Sequence, residues 1–365
     1  MTPVRGARAL TPDGWTGPVE VVVATDGRIE AVHPARGPVP DVSLVPGFVD
    51  LQVNGHDDVD VATAAGADWD RLDDLLVAQG VTTWCPTLVT APLDAYPAAL
   101  ARIAAAADRP AEGRPAIAGA HLEGPFLGRR AGAHPVEHVL PVDLPWLTDL
   151  PPIVTLMTLG PEAEGAVSAI EALDRRGALV AIGHSDATFE EAEAAADAGA
   201  RLVTHCFNAT GSLHQRAPGL LGAALTDERL AVSLIADLAH VHPALLRLAF
   251  RAKGADGVVL VTDAVAWRAG RVGAVEMAVD EAGVPRLTDG TLAGSALTMD
   301  GAIRNVVRGA GIDLADAVVS AATSPARLLG LADRGALVPG RRGDVVALSD
   351  GLAVAGVWIG GEQRR

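Results

Sequence analysis

Four apolar runs in this chain end in a residue that can bind a metal or move a proton. Ala120-His121-Leu122-Glu123 stops at Gly124-Pro125, Leu179–Ile182 leads through Gly183 to His184, Leu202-Val203-Thr204 leads to His205, and Val258–Thr262 leads to Asp263. A Gly-Pro pair ends a strand, so Glu123 becomes a carboxylate at a strand terminus. Such a group is costly to bury unless it meets a cation, a metal or a proton donor. Taken singly, an acid there reads equally well as salt-bridged to a neighbour, and one strand-end histidine is more often structural. Taken together, two imidazoles and a carboxylate form an N/O ligand set for a catalytic divalent ion, with positions left open for water and substrate. Asp263 would stand across from them, placed to act as a general base and then as an acid.

The elements that must position these residues show as an alternation. Apolar runs of strand length recur at 44–54, 81–89, 115–123, 153–159, 179–184, 202–208, 232–240 and 258–265. Alanine-rich stretches of helical character, such as 93–107, 162–176 and 190–199, separate many of them. Eight β segments with α connections predict an α/β fold, a parallel (β/α)8 TIM-like barrel whose active site lies at the C-terminal ends of its strands. The competing doubly wound sheet calls for a glycine-rich phosphate turn after an early strand, which the sequence lacks. The two ends of the chain read differently. Val19–Val23 and Arg28–Val32 flank Asp26-Gly27, a hairpin signal, and Gly343–Leu348 and Ala355–Ile359 have the same short-strand character. Residues 1–44 and 335–365 are therefore expected to meet in a small β-sandwich domain, with part of 268–292 a candidate to join it, around a barrel of 45–334.

The overall composition narrows the function. With 365 residues, 49% of them hydrophobic and 20% charged, the chain can bury a large core. A net charge of −16 argues against nucleic-acid binding. No apolar run approaches the ~20 residues that span a bilayer, and Met1–Arg5 lacks the apolar core of a signal peptide, so no membrane association and a cytoplasmic location are expected. Cys85 and Cys206 lie inside apolar runs and read as buried free thiols. Lys253 is the single lysine, which leaves arginine to hold any anionic substrate.

Along nearly its whole length the sequence resembles the N-acetylglucosamine-6-phosphate deacetylases of the amidohydrolase superfamily. The resemblance is carried by Pro46–Gly55, His121–Phe126, Gly183–Thr188, Thr204–Ala209, Pro218–Leu220, Ile235–Asp237, Thr262–Ala264, Leu292–Ser295, Ser324–Gly330 and Gly343-Asp344, in the family's order. It implies that Glu123, His184 and His205 are the ligands of a divalent metal, and that Asp263 is the catalytic acid–base. It implies that His134 helps to polarise the scissile carbonyl. It further implies that Ala133, Asn208, Ala209, His240, Leu292, Ala293 and Gly294 contact substrate. Arg216 matches the arginine that holds the sugar phosphate, which in the family can come from the neighbouring subunit, so a homodimer with shared sites is expected. The implied reaction is hydrolysis of the acetamide of N-acetylglucosamine 6-phosphate. The galacto epimer, an unphosphorylated sugar or another acylated amine remains an alternative, and a non-catalytic barrel scaffold is a weaker one.

The chain departs from the wider superfamily at its first strand. Many amidohydrolases carry His-x-His there, which binds a second metal, whereas this chain has Gln52-Val53-Asn54. An amide is a poor zinc ligand, so one metal ion per subunit, zinc by its ligand set, is expected. His56 and its neighbouring acids, in Gly55–Asp60, read as a solvated loop. His138, His214 and His242 read as surface or structural residues. The segment 267–286 departs most from the family and looks shortened.

Overall fold

The computed structural model describes residues 3–365. The alternating pattern forms a barrel of eight parallel strands: Phe48–Val53, Val81–Val89, Ala120–Glu123, Val154–Leu159, Leu179–Ile182, Ala200–Val203, Ala231–Ile235 and Val258–Val261. Each pairs in parallel with the next. The ring closes between its last and first strands. Asp263 N–H donates to Gln52 C=O at 2.9 Å, and Asn54 N–H donates to Ala264 C=O at 2.8 Å. The strands are buried almost without interruption, because one face fills the barrel interior and the other meets the helices. That explains their continuous apolar runs.

Helices follow the strands in turn, at Asp68–Ala78, Tyr96–Ala107, Leu144–Thr148, Ala166–Arg175, Phe189–Ala198, Gly219–Thr226, Pro243–Lys253 and Met299–Arg308. Their boundaries follow local chemistry. Phe189–Ala198 begins at a reciprocal capping box between Thr188 and Glu191.

Several expected elements are subdivided. The run 44–54 is two strands broken at Gly47. Ser43–Pro46 pairs with Val345–Leu348, outside the barrel, while Phe48–Val53 is the first barrel strand. Position 47 needs glycine, since a Cβ there would lie 2.2 Å from Thr82 Oγ1. The run 115–123 is likewise interrupted between Ala116–Ile117 and Ala120–Glu123. Residues 204–208, expected to continue the sixth strand, leave the ladder after Val203 and turn into the barrel mouth.

Both chain ends contribute to one six-stranded sheet. Its spatial order is Glu362–Gln363, Val354–Ile359, Val345–Leu348, Ser43–Pro46, Arg8–Thr11, Gly14–Thr16. A second sheet joins Val4–Gly6, Val19–Val23 and Ile29–Pro34, and Val4, Val21, Ile29, Leu44 and Val345 form a common core between the two. Segment 268–292 does not join these sheets, which corrects that expectation. It folds into two hairpins of its own, Arg271–Val272 with Val275–Glu276 and Ala278–Val279 with Pro285–Arg286. Val272 and Met277 find their apolar partners in Val265 and Ala293 at the barrel mouth instead. His56 is also corrected: it is buried in a short hairpin, with Asp57 held by Arg71 and Arg268. Among the described residues no helix is long and apolar enough to cross a membrane. Cys85 and Cys206 are buried free thiols.

Candidate active site

The site is built from the C-terminal ends of the first, third, fifth, sixth and eighth barrel strands. Glu123 is the last residue of the third strand. Gly124 follows with φ +91°, and a Cβ there would lie 2.1 Å from Thr90 Oγ1. Its absence leaves the Thr90 hydroxyl 3.2 Å from the Glu123 carbonyl and 2.9 Å from His134 Nδ1. His184, His205 and Asp263 each sit just beyond a strand in left-handed backbone, with φ of 50°, 29° and 49°. Such conformations cost a non-glycine residue about 1–3 kcal/mol each and persist only where the surroundings enforce them. Here they turn three side chains out of their strand directions toward one buried point.

At that point Glu123 Oε1 lies 3.1 Å from His184 Nε2 and 2.9 Å from His205 Nε2, and the two Nε2 atoms are 3.0 Å apart. Three lone-pair atoms this close repel one another unless a proton or a cation lies among them. His184 Nδ1 donates to the Arg130 carbonyl at 3.0 Å, so a neutral His184 presents the Nε2 lone pair inward. Two imidazole nitrogens and a carboxylate oxygen converging in this way fit a divalent cation.

Glu123, His134 and His184 also bring their donor atoms within 4.8 Å of one another. His134 differs from His184 in tautomer. Its Nδ1 accepts the Thr90 N–H at 3.2 Å, so the neutral ring carries its proton on Nε2, 3.6 Å from Glu123 Oε2. That makes His134 a proton donor facing the cavity, whereas His205 has the nearer nitrogen for a metal.

Asp263 completes the group. Its Oδ1 accepts from Asn54 Nδ2 at 2.7 Å and from Gln52 Nε2 at 3.0 Å, and Gln52 Nε2 also donates to Glu123 Oε1 at 2.9 Å. The amides at 52 and 54 therefore bridge two acids. Burial and the Glu123 charge push Asp263 up to about 8, against the opposing pull of His205 and Asn54. Burial also opposes ionisation of Glu123, but hydrogen bonds from His134, His184 and His205 outweigh it and hold the carboxyl well below the usual range.

These groups open into a cavity of about 420 Å³. Glu123, His134, His184, His205 and Asp263 line it, as do Ala133, Asn208, Ala209, His240, Leu292, Ala293 and Gly294. His240 is oriented by Asp237, whose Oδ2 lies 2.7 Å from His240 Nδ1. Arg216 is not brought to the cavity of its own chain; it lies exposed on the loop after the sixth strand. Sequence reasoning missed Arg130 and the covering side chains Val272 and Val275. The paired arginines Arg129-Arg130, between Glu123 and His134, were the available signal for the first.

The fold and this cluster define a class. Residues 43–364 match the amidohydrolase family, and the chain belongs to that family. It is 39% identical to the N-acetylgalactosamine-6-phosphate deacetylase of Escherichia coli O157:H7, covering 98% of each chain. It is 34% identical to the N-acetylglucosamine-6-phosphate deacetylase of Vibrio furnissii, covering 98% of this chain and 93% of the relative. Two solved structures are similar throughout. The N-acetylglucosamine-6-phosphate deacetylase of Thermotoga maritima has a TM-score of 0.92 at 31% identity, covering 99% of each chain. A Mycobacterium smegmatis N-acetyl-D-glucosamine-6-phosphate deacetylase, an aspartate-to-alanine mutant in complex with N-acetyl-D-glucosamine-6-phosphate, has a TM-score of 0.91 at 32% identity, covering 99% and 98%.

Proposed function

We propose that this amidohydrolase removes the acetyl group of N-acetylglucosamine 6-phosphate, giving glucosamine 6-phosphate and acetate in amino-sugar catabolism. The observation that carries the reading is Asp263, fixed by two amide donors beside the convergent Glu123, His184 and His205. Those three residues would hold one divalent ion, zinc by their chemistry. When bound, the ion supplies a nucleophile from water at neutral pH and polarises the acetamide carbonyl.

The chain's own residues do the rest. Asp263 Oδ1 is occupied by Asn54 and Gln52. Its other oxygen takes the proton of the attacking water and returns it to the departing nitrogen. His134 donates its Nε2–H to the developing oxyanion. The C–N bond breaks, acetate retains the carbonyl carbon, and the amine leaves neutral. Asn208, Ala209, His240 and the loop Leu292–Gly294 form the sugar walls. Arg216 would reach the sugar phosphate from the second subunit of a homodimer. Burial of the free thiols Cys85 and Cys206 suits a cytoplasmic enzyme.

A second reading, the galacto epimer, is favoured by the 39% identity to the N-acetylgalactosamine-6-phosphate deacetylase. Acetate release from N-acetylglucosamine and N-acetylgalactosamine, each with and without 6-phosphate, tests both readings. The gluco 6-phosphate is expected to turn over fastest, with close to one divalent ion per chain. Fastest turnover of the galacto 6-phosphate would favour the second reading. Acetate release from neither phosphate would overturn both, and two tightly bound ions would overturn the single-metal site.

A further inference from the structure

Arg130 is the only arginine or lysine among the described residues that line the catalytic cavity. The loop that carries it is pinned in place. Glu162 Oε1 accepts the N–H groups of Arg129 and Asp186, each at 2.9 Å, and Glu162 Oε2 accepts the Ser185 hydroxyl at 2.6 Å. Gly128 permits this approach, since a Cβ there would lie 2.2 Å from Glu162 Oε1. Arg130 is also tied to His184 in both directions. Its N–H donates to the His184 carbonyl at 3.3 Å, and its carbonyl accepts from His184 Nδ1.

The base of Arg130 is thus fixed against a proposed metal ligand, and only its guanidinium end is free to redirect. That end is about half exposed and pairs through Nε with Asp186 at 2.7 Å. Among the described residues the Nη groups have no hydrogen-bond or ion-pair partner. Of the remaining charged groups in the cavity, Glu123 and Asp263 are acids, which oppose a phosphate, and His240, whose Nδ1 is held by Asp237, offers a single ring nitrogen rather than a fork.

Building on the proposed function, we infer that Arg130 is a specificity-determining residue. Its guanidinium exchanges Asp186 for the phosphate of the substrate and supplies the planar fork that such an anion takes. Each subunit then contributes a phosphate contact to its own cavity, independently of Arg216.

The test uses zinc-loaded enzyme and compares kcat/KM for N-acetylglucosamine 6-phosphate with that for N-acetylglucosamine. Arg130→Ala should lower this ratio about 10- to 100-fold, the worth of a hydrogen bond to a charged group. The loss should fall on KM, and Arg130→Lys should restore part of it. Calorimetric binding of glucosamine 6-phosphate reads the same contact without turnover, and it should weaken at least about 10-fold in Arg130→Ala. An equal loss on both substrates would show that Arg130 acts through His184 and would overturn the inference, as would unchanged glucosamine 6-phosphate affinity. Absence of acetate release by the wild type would count against the proposed reaction, while the binding measurement would still decide the role of Arg130.

Discussion

Asn54 and Gln52 show how a pair of uncharged residues can set the chemistry of two acids. Both donate to Asp263 Oδ1, and Gln52 also donates to Glu123. A hydrogen bond to a carboxylate favours its ionised form, so Asn54 lowers the Asp263 pKa against the burial that raises it. Asn54→Ala removes that contribution, and the Asp263 pKa rises. In the proposed mechanism the ionised form is the base, so the acid limb of the pH–kcat/KM profile should move to higher pH. An unmoved limb would mean that another group controls it. The strand-end acid and imidazoles were legible in the sequence because each interrupts an apolar run. The bridging role of Gln52 was not, since it joins side chains of three strands that meet only when the ring closes. Arg130 was missed for a related reason: its position over the cavity depends on Glu162, from the loop after the fourth strand.

At the scale of elements, the decisive feature is the turn that follows each catalytic strand. His184, His205 and Asp263 adopt left-handed backbone there, and Gly124 does so after Glu123. Alternation and length announced the strands but not these turns, so 202–208 was expected to stay extended when the ladder ends at Val203. The split of 44–54 was hidden for another reason. Its two halves are both buried along their whole length, one in the terminal sheet and one in the barrel. Gly124→Ala tests the turn directly. Its methyl group would meet Thr90 Oγ1 at 2.1 Å while holding φ near +91°. A loss of about 1–3 kcal/mol in chemical denaturation is expected from the backbone term alone. Metal content should fall as Glu123 shifts. Wild-type stability and metal content would show that the close approach does not matter.

For the whole molecule, the candidate site lies in the barrel, and the two chain ends share a separate sheet whose Val346, Leu348 and Val357 pack into the barrel's core. Paired short-strand signals made that sharing legible, but they did not reveal that 268–292 folds over the barrel mouth instead. Arg216 and Leu213 are both exposed on the loop after the sixth strand, and the arginine does not line the catalytic cavity of its own chain. A homodimer with shared sites predicts complementation. Arg216→Ala and Asp263→Asn enzymes, each impaired alone, should recover activity when unfolded and refolded together, because the mixed dimer contains one site with both residues intact. Activity no higher than the average of the separate variants would refute a shared site.

The central claim is that Asp263 is the proton carrier of a site whose metal is held by other residues. Asp263→Asn keeps the size of the side chain and removes the proton acceptor. Turnover, metal stoichiometry and substrate affinity measured together on this one variant test the claim most directly. Turnover should fall by about 10²–10⁴, the usual worth of general acid–base catalysis, with metal content and affinity close to wild type. Near-normal turnover would remove Asp263 from the mechanism, and loss of the metal along with turnover would make it a ligand rather than a base.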